Sequence, residues 1–226
     1  MKRNVLLVLG FILMTLSLYR VFVYVHAKNA IDTMGLVGKT FFLMVPVGWL
    51  ALLAFFVIFI CSILYLTKRQ SRWDIIARSS AEIGIVCTSL AMIVGTIWGS
   101  VSWGNIWAVW RGGEPRLMAT LVLWFIYLAY FLVRSFASEE SRGARFAAVI
   151  GIVGFVDVPI VGMATSLWRG QHPPPMIFTG DVASDLLLSL MISIAAFTVL
   201  FFILLVLRVS MANNEVDIKQ LKERDS

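Results

Sequence analysis

Long apolar runs alternate with short charged segments along the chain, and this pattern predicts the fold. A transmembrane helix needs about 20 mainly apolar residues to cross a hydrocarbon core of roughly 30 Å. Six runs reach that length, at about residues 5–25, 41–66, 76–97, 117–133, 146–167 and 185–207. Because backbone groups in lipid must be hydrogen-bonded within each segment, and alternating strand patterns are absent from the sequence, we expect an all-α integral membrane protein with six transmembrane helices.

The composition agrees with a membrane location. Hydrophobic residues make up 60% of the 226 residues and charged residues only 14%, which is too apolar for an ordinary soluble domain of this length. We therefore predict a single membrane domain over residues 1–226. Within it, residues 98–116 form an outward loop and residues 208–226 a cytoplasmic tail.

The distribution of lysine and arginine predicts the orientation, because cytoplasmic loops of membrane proteins are enriched in them. Five lie in the segments assigned to the outside, namely Lys28, Lys39, Arg111, Arg116 and Arg169. Thirteen lie on the opposite side, namely Lys2, Arg3, Lys68, Arg69, Arg72, Arg78, Arg134, Arg142, Arg145, Arg208, Lys219, Lys222 and Arg224. Both termini are therefore predicted to be cytoplasmic. The net charge of +6 is explained by topology and indicates no nucleic-acid partner.

The first apolar run has some features of a signal peptide. Lys2 and Arg3 precede it, and "VHA" ending at Ala27 resembles a cleavage site. Its length of about 21 residues exceeds the roughly 7–15 residues of a usual signal-peptide core. We expect it to be a retained helix of a multi-pass protein.

Two local patterns predict structural roles for acidic residues. "SSAE" at residues 79–82 has the spacing of a capping box, which would place a helix start there and give Glu82 a capping role. Asp157 lies deep in the fifth run beside Pro159, where a charged, lipid-facing carboxylate would be costly. We expect Asp157 to face the interior and to pair with freed backbone amides or another helix.

The unusual chemistry collects in the three segments assigned to the outside. The two histidines of the chain, His26 and His172, both lie there at the membrane edge. Each is either an interfacial polar residue or a ligand in metal or proton chemistry. His172 is the more suggestive, because in "WRGQHPPP" three prolines hold the backbone after it extended.

Four of the eight tryptophans fall within thirteen positions, at Trp98, Trp103, Trp107 and Trp110. They form either an aromatic belt at the headgroups or a shaped surface for a flat ligand. The intervening glycines favour the surface. A porphyrin would match such a surface together with the nearby residues Arg111, Arg116 and Arg169, while lipid, quinone and peptide remain open as alternatives.

The stretch "WGSVSWGNIWAVWRGGEPRL" resembles the tryptophan-rich segment, often called the WWD domain, of the heme exporter protein C (CcmC) family. The residues that match the family pattern are Trp98, Gly99, Trp103, Gly104, Trp107, Trp110, Arg116 and Leu117. The resemblance extends weakly from the second span to the end of the chain. It includes "DVPI" at residues 157–160 and the tryptophan four residues before the histidine in "WRGQH".

The resemblance implies a function in cytochrome c maturation. Heme b would be held non-covalently and transiently at the outer face of the cytoplasmic membrane, by the tryptophan-rich segment and two flanking histidines. It would then pass to a periplasmic heme chaperone, with the ATPase and permease subunits of an ABC transporter driving release. The chain would be a heme-handling protein and not an enzyme.

Two positions depart from the family pattern. His172 matches the second histidine, but the first falls on Met44 in "FFLMVPVGW". A thioether can ligate heme iron, although a methionine at this place can also be simple packing. His26 is a further candidate ligand, eighteen residues before Met44. The family's acidic residue directly follows the last tryptophan, whereas here "RGG" intervenes, and we expect Glu114 to take the acidic role.

Two other functions stay open at this point. One is the related heme lyase, an enzyme that attaches heme to apocytochrome thiols. Those proteins are longer and carry additional histidines. The other is a permease or transporter subunit whose outer tryptophans bind lipid, which broken helices in symmetric halves would favour.

Overall fold

The structure, a computed structural model, describes residues 2–24, 35–106, 110, 114–137, 139–168 and 184–224. Within these ranges only the backbone is described at Lys2, Arg3, residues 35–38, Trp103, Thr165, Lys219 and Gln220. Within these ranges every regular element is a helix. The elements are α1 (Lys2–Tyr19) with a π-helical continuation (Arg20–Tyr24), α2 (Gly35–Lys68), α3 (Ser71–Trp103), α4 (Pro115–Phe136), α5 (Glu140–Gly154), α6 (Asp157–Leu167) and α7 (Ser184–Arg224). The predicted all-α fold is confirmed.

Six stretches of the described chain are long and apolar enough to cross a membrane. They are Asn4–Tyr24, Lys39–Lys68, Ser71–Ser102, Pro115–Phe136, Glu140–Ala164 and Ser184–Glu223. The fifth combines α5 with most of α6. Six transmembrane helices are therefore confirmed, and the cytoplasmic location of both termini stays a prediction.

An aromatic stack lies at the centre of the bundle. The rings of Phe55 on α2 and Tyr127 on α4 are stacked with centroids 3.9 Å apart, and both side chains are fully buried. The Tyr127 hydroxyl donates a hydrogen bond to the Gly151 carbonyl on α5, at 3.4 Å. The buried ring stack and the single hydrogen bond connect three helices. A buried tyrosine usually has such a hydrogen-bond partner for its hydroxyl group.

Small residues let α5 approach its neighbours closely. A Cβ added at Gly151 would lie 2.7 Å from Oγ of Ser62 on α2, and one added at Gly154 would lie 2.6 Å from Cγ2 of Ile126 on α4. In membranes, helix association depends on such close van der Waals packing because lipid tails are as apolar as the side chains they compete with. The two glycines therefore fix the position of the fifth span.

Ion pairs hold the end of the bundle opposite Trp98. Arg134 on α4 donates two hydrogen bonds to the Asp74 carboxylate on α3, at 2.6 and 2.8 Å. Arg208 on α7 pairs in the same bidentate way with Glu82 on α3. The predicted capping box at residues 79–82 is wrong, since α3 begins at Ser71 and Glu82 lies in its interior as a partner of another helix.

The helices extend beyond most of the apolar runs, and one run is interrupted. Helix α3 continues through Trp103 and ends where Gly104 adopts a left-handed conformation with φ of 80°, which glycine reaches without steric cost. Helix α7 continues to Arg224. Between α5 and α6 the helix is interrupted at residues 155–156, three to four positions before Pro159, whose missing N–H and ring disfavour a continuous helix.

Asp157 at the start of α6 does not form the predicted pair. Its side chain is half-buried, and the Oδ2 atom is buried without a hydrogen-bond partner in the described part of the chain. The expectation that this carboxyl pairs with backbone amides or another helix is therefore wrong for the described residues.

Candidate functional site

A cavity of about 90 Å³ lies between α2, α3, α4 and α6 at the end of the bundle where α3 stops. We call it the Trp98 cavity. The described residues that line it are Met44, Val45, Gly48, Ala51, Leu52, Thr88, Ala91, Gly95, Trp98, Glu114, Arg116, Leu117, Thr120, Leu123 and Val161. The described walls are mostly apolar, and the two charged side chains among these residues, Glu114 and Arg116, stand two positions apart in the chain.

Glu114 is the N-cap residue of α4, followed by Pro115 in the first helical turn. Its backbone carbonyl accepts hydrogen bonds from the amides of Leu117 and Met118, at 3.1 and 3.3 Å, so the main chain starts the helix. The side chain does not cap that helix. Proline suits this position because the first amides of a helix lack intrahelical partners.

The Glu114 side chain is buried, and its carboxylate accepts no hydrogen bond from the described residues. The residue is only 2% exposed, and neither carboxylate oxygen has a hydrogen-bond partner among the described residues. Burial raises the pKa of this carboxyl group. The nearby Arg116, through its backbone amide and its positive charge, lowers that pKa by a smaller amount. An uncompensated buried carboxyl is costly, and such groups concentrate at functional sites.

Met44 lines the same cavity from α2. A Cβ added at Gly95 on α3 would lie 4.0 Å from the Met44 Sδ atom, so the thioether is directed across the cavity toward the opposite helix. This is the position at which the resemblance implies a histidine. A thioether sulfur is a weak hydrogen-bond acceptor and a soft metal ligand.

The tryptophan-rich segment begins on a helix and not in a loop. Trp98 is half-buried and lines the cavity. Gly99 is buried, and the backbone of Trp103 completes the last turn of α3. Gly104 ends the helix by its positive φ, and Trp110 is half-buried further along.

Several predicted site residues lie outside the described residues. They are His26, Trp107, His172 and the side chain of Trp103. Of the predicted site, the structure brings together Met44, Trp98, Glu114 and Arg116 around one cavity.

Sequence reasoning missed the residues that make the cavity possible. A Cβ added at Gly48 on α2 would meet no atom within 4 Å, so this glycine leaves open space in the wall. Thr88 and Thr120 line the cavity too, but their hydroxyls donate to carbonyls of their own helices, at 2.7 Å each. A glycine in an apolar run has no distinguishing signal until the opposing helices are known.

The arrangement suits a ligand that is apolar on its faces and acidic at an edge. Apolar walls would contact the faces, Arg116 would attract the acidic group, and Met44 offers a soft donor. No group of three or more His, Cys, Asp or Glu side chains within the described ranges could hold a bare metal ion.

Comparison with known proteins identifies relatives along almost the whole chain. A family model described as heme exporter protein C matches residues 2–224. The heme exporter protein C of Bradyrhizobium diazoefficiens is 32% identical over 170 residues, which are 74% of this chain and 63% of that protein. The Haemophilus influenzae protein of the same name is 30% identical over 200 residues, covering 87% of this chain and 72% of the relative.

A third relative, the heme exporter protein C of Rhodobacter capsulatus, is 29% identical over 195 residues and is covered over 79% of its length. The chain thus spans about two thirds to four fifths of these relatives. The match over residues 2–224 agrees with the resemblance of the tryptophan-rich segment, and the chain belongs to the heme exporter protein C family.

Proposed function

We propose that this protein binds heme at the outer face of the cytoplasmic membrane and delivers it to a periplasmic heme chaperone during cytochrome c assembly. The observation that carries the proposal is that Met44, Trp98, Glu114 and Arg116 line one cavity. Met44, Trp98 and the neighbouring Glu114 and Arg116 come from three separate parts of the sequence, on three helices and a connecting segment. In a family whose members are named heme exporters, a shared cavity for them supports a ligand site.

The Trp98 cavity is large enough to enclose only part of a heme. Its volume is about 90 Å³. Pockets that enclose a drug-sized ligand measure about 300–1,000 Å³. Heme would therefore lie mainly against the tryptophan-rich segment, including Trp103, Trp107 and Trp110, with one edge at the cavity.

Two kinds of contact would hold the heme. Arg116 would pair with a propionate, because a guanidinium matches a carboxylate in charge and in bidentate geometry. His172 would be one axial ligand of the iron and Met44 the second, with His26 as the alternative. A methionine and histidine pair raises the iron potential relative to two histidines.

The cargo in this proposal is heme b, held non-covalently and released. The chain acts as a heme-handling protein and not as an enzyme. It would work with the ATPase and permease subunits of an ABC transporter, surrounded by membrane lipids.

Complementation tests the delivery step. A host that makes the chaperone and the transporter subunits, but lacks its own family member, is given the wild-type chain, His172→Ala or His26→Ala. We expect heme-loaded chaperone with the wild type, a loss of more than about tenfold with His172→Ala, and little change with His26→Ala. Equal loading of the chaperone without any added chain would contradict the proposal.

A further inference from the structure

Glu114 is a buried acid facing a cavity that also contains a cation. The residue is 2% exposed, both carboxylate oxygens lack hydrogen-bond partners in the described part of the chain, and the residue lines the Trp98 cavity together with Arg116. A structural acid at a helix start would normally cap the helix, but this side chain does not. Helix capping therefore does not explain its place.

Among the described residues that line the cavity, one charged group stands beside this carboxyl. From α2, α3 and α6, the described lining residues bring only apolar, hydroxyl, thioether and indole groups. Arg116 on α4 is the one charged partner among the described lining residues. Within the described lining, the charge on Glu114 therefore decides whether the wall of the cavity is close to neutral or positive.

The protonation state of Glu114 therefore determines whether the cavity favours a ligand that carries a carboxylate. With an ionised Glu114, the charge of Arg116 is already offset, and an incoming carboxylate is repelled at short range in a site of low dielectric constant. With a protonated Glu114, Arg116 is available to the incoming carboxylate. When two carboxylates lie beside one cation, their mutual repulsion raises the pKa of one of them, and that carboxylate tends to take up a proton.

We propose that Glu114 couples the binding of a carboxylate-bearing ligand in the Trp98 cavity to the uptake of one proton. The proton comes from solvent and is held on the Glu114 carboxyl group while Arg116 faces the ligand carboxylate. Loss of that proton favours release. This inference rests on the heme-binding function proposed above and adds a proton linkage to it.

The test measures how the affinity for ferric heme depends on pH between about 5.5 and 8.5. The full chain is compared with Glu114→Gln in the same membrane mimic. Taking the ratio of the two dissociation constants cancels the titration of the heme propionates and of His172, which are common to both proteins. One linked proton changes this ratio by at most tenfold per pH unit above the pKa of Glu114.

We expect the wild type to lose affinity relative to Glu114→Gln by at least about tenfold over this range. Glu114→Asp, which keeps a titrating carboxyl, should retain the pH dependence. Asp157→Asn, which removes a half-buried acid that does not line the cavity, should behave as the wild type. Heme dimethyl ester, which carries no free carboxylate, should show less than half of the pH dependence.

The outcomes separate the two proposals. If ferric heme binds neither protein at any pH, the heme-binding function fails. If heme binds both proteins and the ratio stays constant within about twofold, the proton linkage is contradicted and heme binding stands. A pH dependence that is as large in Glu114→Gln as in the wild type would assign the linkage to another group and also contradict this inference.

Discussion

The Sδ atom of Met44 on α2 faces Gly95 on α3, where a Cβ would lie 4.0 Å from the sulfur and 3.2 Å from a methyl carbon of Leu117. The glycine leaves room between the thioether and the opposite helix. Both residues line the Trp98 cavity. The methionine at the position of an expected histidine is thus directed toward the candidate site.

Replacing Met44 tests whether its sulfur ligates iron. Met44→His should lower the reduction potential of the bound heme by on the order of 0.1 V or more, because axial ligands set potentials over a wide range. Met44→Ala should shift the visible spectrum toward that of a heme with one strong axial ligand. Spectroelectrochemical titration measures both changes. Identical potentials in Met44→His and the wild type would assign the second ligand elsewhere, and His26→Ala is the next variant to measure.

Filling the cavity from Gly48 tests whether the ligand uses it. A side chain at this position meets no atom within 4 Å, so Gly48→Leu should fold and occupy the open space. We expect heme affinity to fall by at least tenfold. The matched control is Gly162→Leu on α6, which also meets no atom within 4 Å and is exposed outside the cavity. Equal affinities in the two leucine variants would show that the ligand does not enter the cavity.

The apolar runs predicted the six spans because burial in lipid requires long apolar helices, and this requirement is visible in any single sequence. They did not predict where helices continue beyond the lipid. Helix α3 runs on through Trp103 and α7 to Arg224. No proline lies in either extension, and Gly99 does not interrupt α3. The capping-box pattern at residues 79–82 misled because the same spacing occurs by chance within a helix.

The candidate site was predictable only in part. Trp98, Glu114 and Arg116 follow from the resemblance, and Met44 follows from its alignment with a histidine. Gly48 and Gly95 could not be predicted, because the space that a glycine leaves open depends on which atoms of other helices lie opposite it. The partner of Glu82 also could not be foreseen, since Arg208 is 126 residues away in sequence.

Glu114 should make the stability of the heme-free protein depend on pH. Its folded-state pKa is raised by burial, so its contribution is fully present below the unfolded value near 4.3 and is lost as the pH rises through the raised pKa. Glu114→Gln should therefore melt a few degrees above the wild type at pH 8, with the difference vanishing near pH 4. Thermal unfolding in detergent measures this, and a destabilised Glu114→Gln at pH 8 would contradict it.

The pair of Arg134 and Asp74 should carry much of the stability at the opposite end of the bundle. The two side chains are only 12% and 15% exposed, so Arg134→Leu leaves a buried carboxylate unpaired at a cost of about 3–5 kcal/mol. For a chain of this size that lowers the melting temperature by on the order of 10 °C.

The matched control for this pair is exposed. Arg142 and Glu139 are 65% and 58% exposed, so Arg142→Leu should cost less than about 1 kcal/mol. The double variant Asp74→Asn with Arg134→Gln should lose less stability than Arg134→Leu, because it leaves no unpaired charge. Equal melting temperatures for Arg134→Leu and Arg142→Leu would contradict a structural role for the buried pair.

The most direct test of the heme-handling account is the visible spectrum of the full chain, purified in detergent from cells supplied with heme. The account predicts a Soret band from about one heme per chain in the wild type, and a weakened or shifted band in both His172→Ala and Trp98→Ala. A wild-type spectrum without a Soret band, or one indistinguishable from that of His172→Ala, would contradict it.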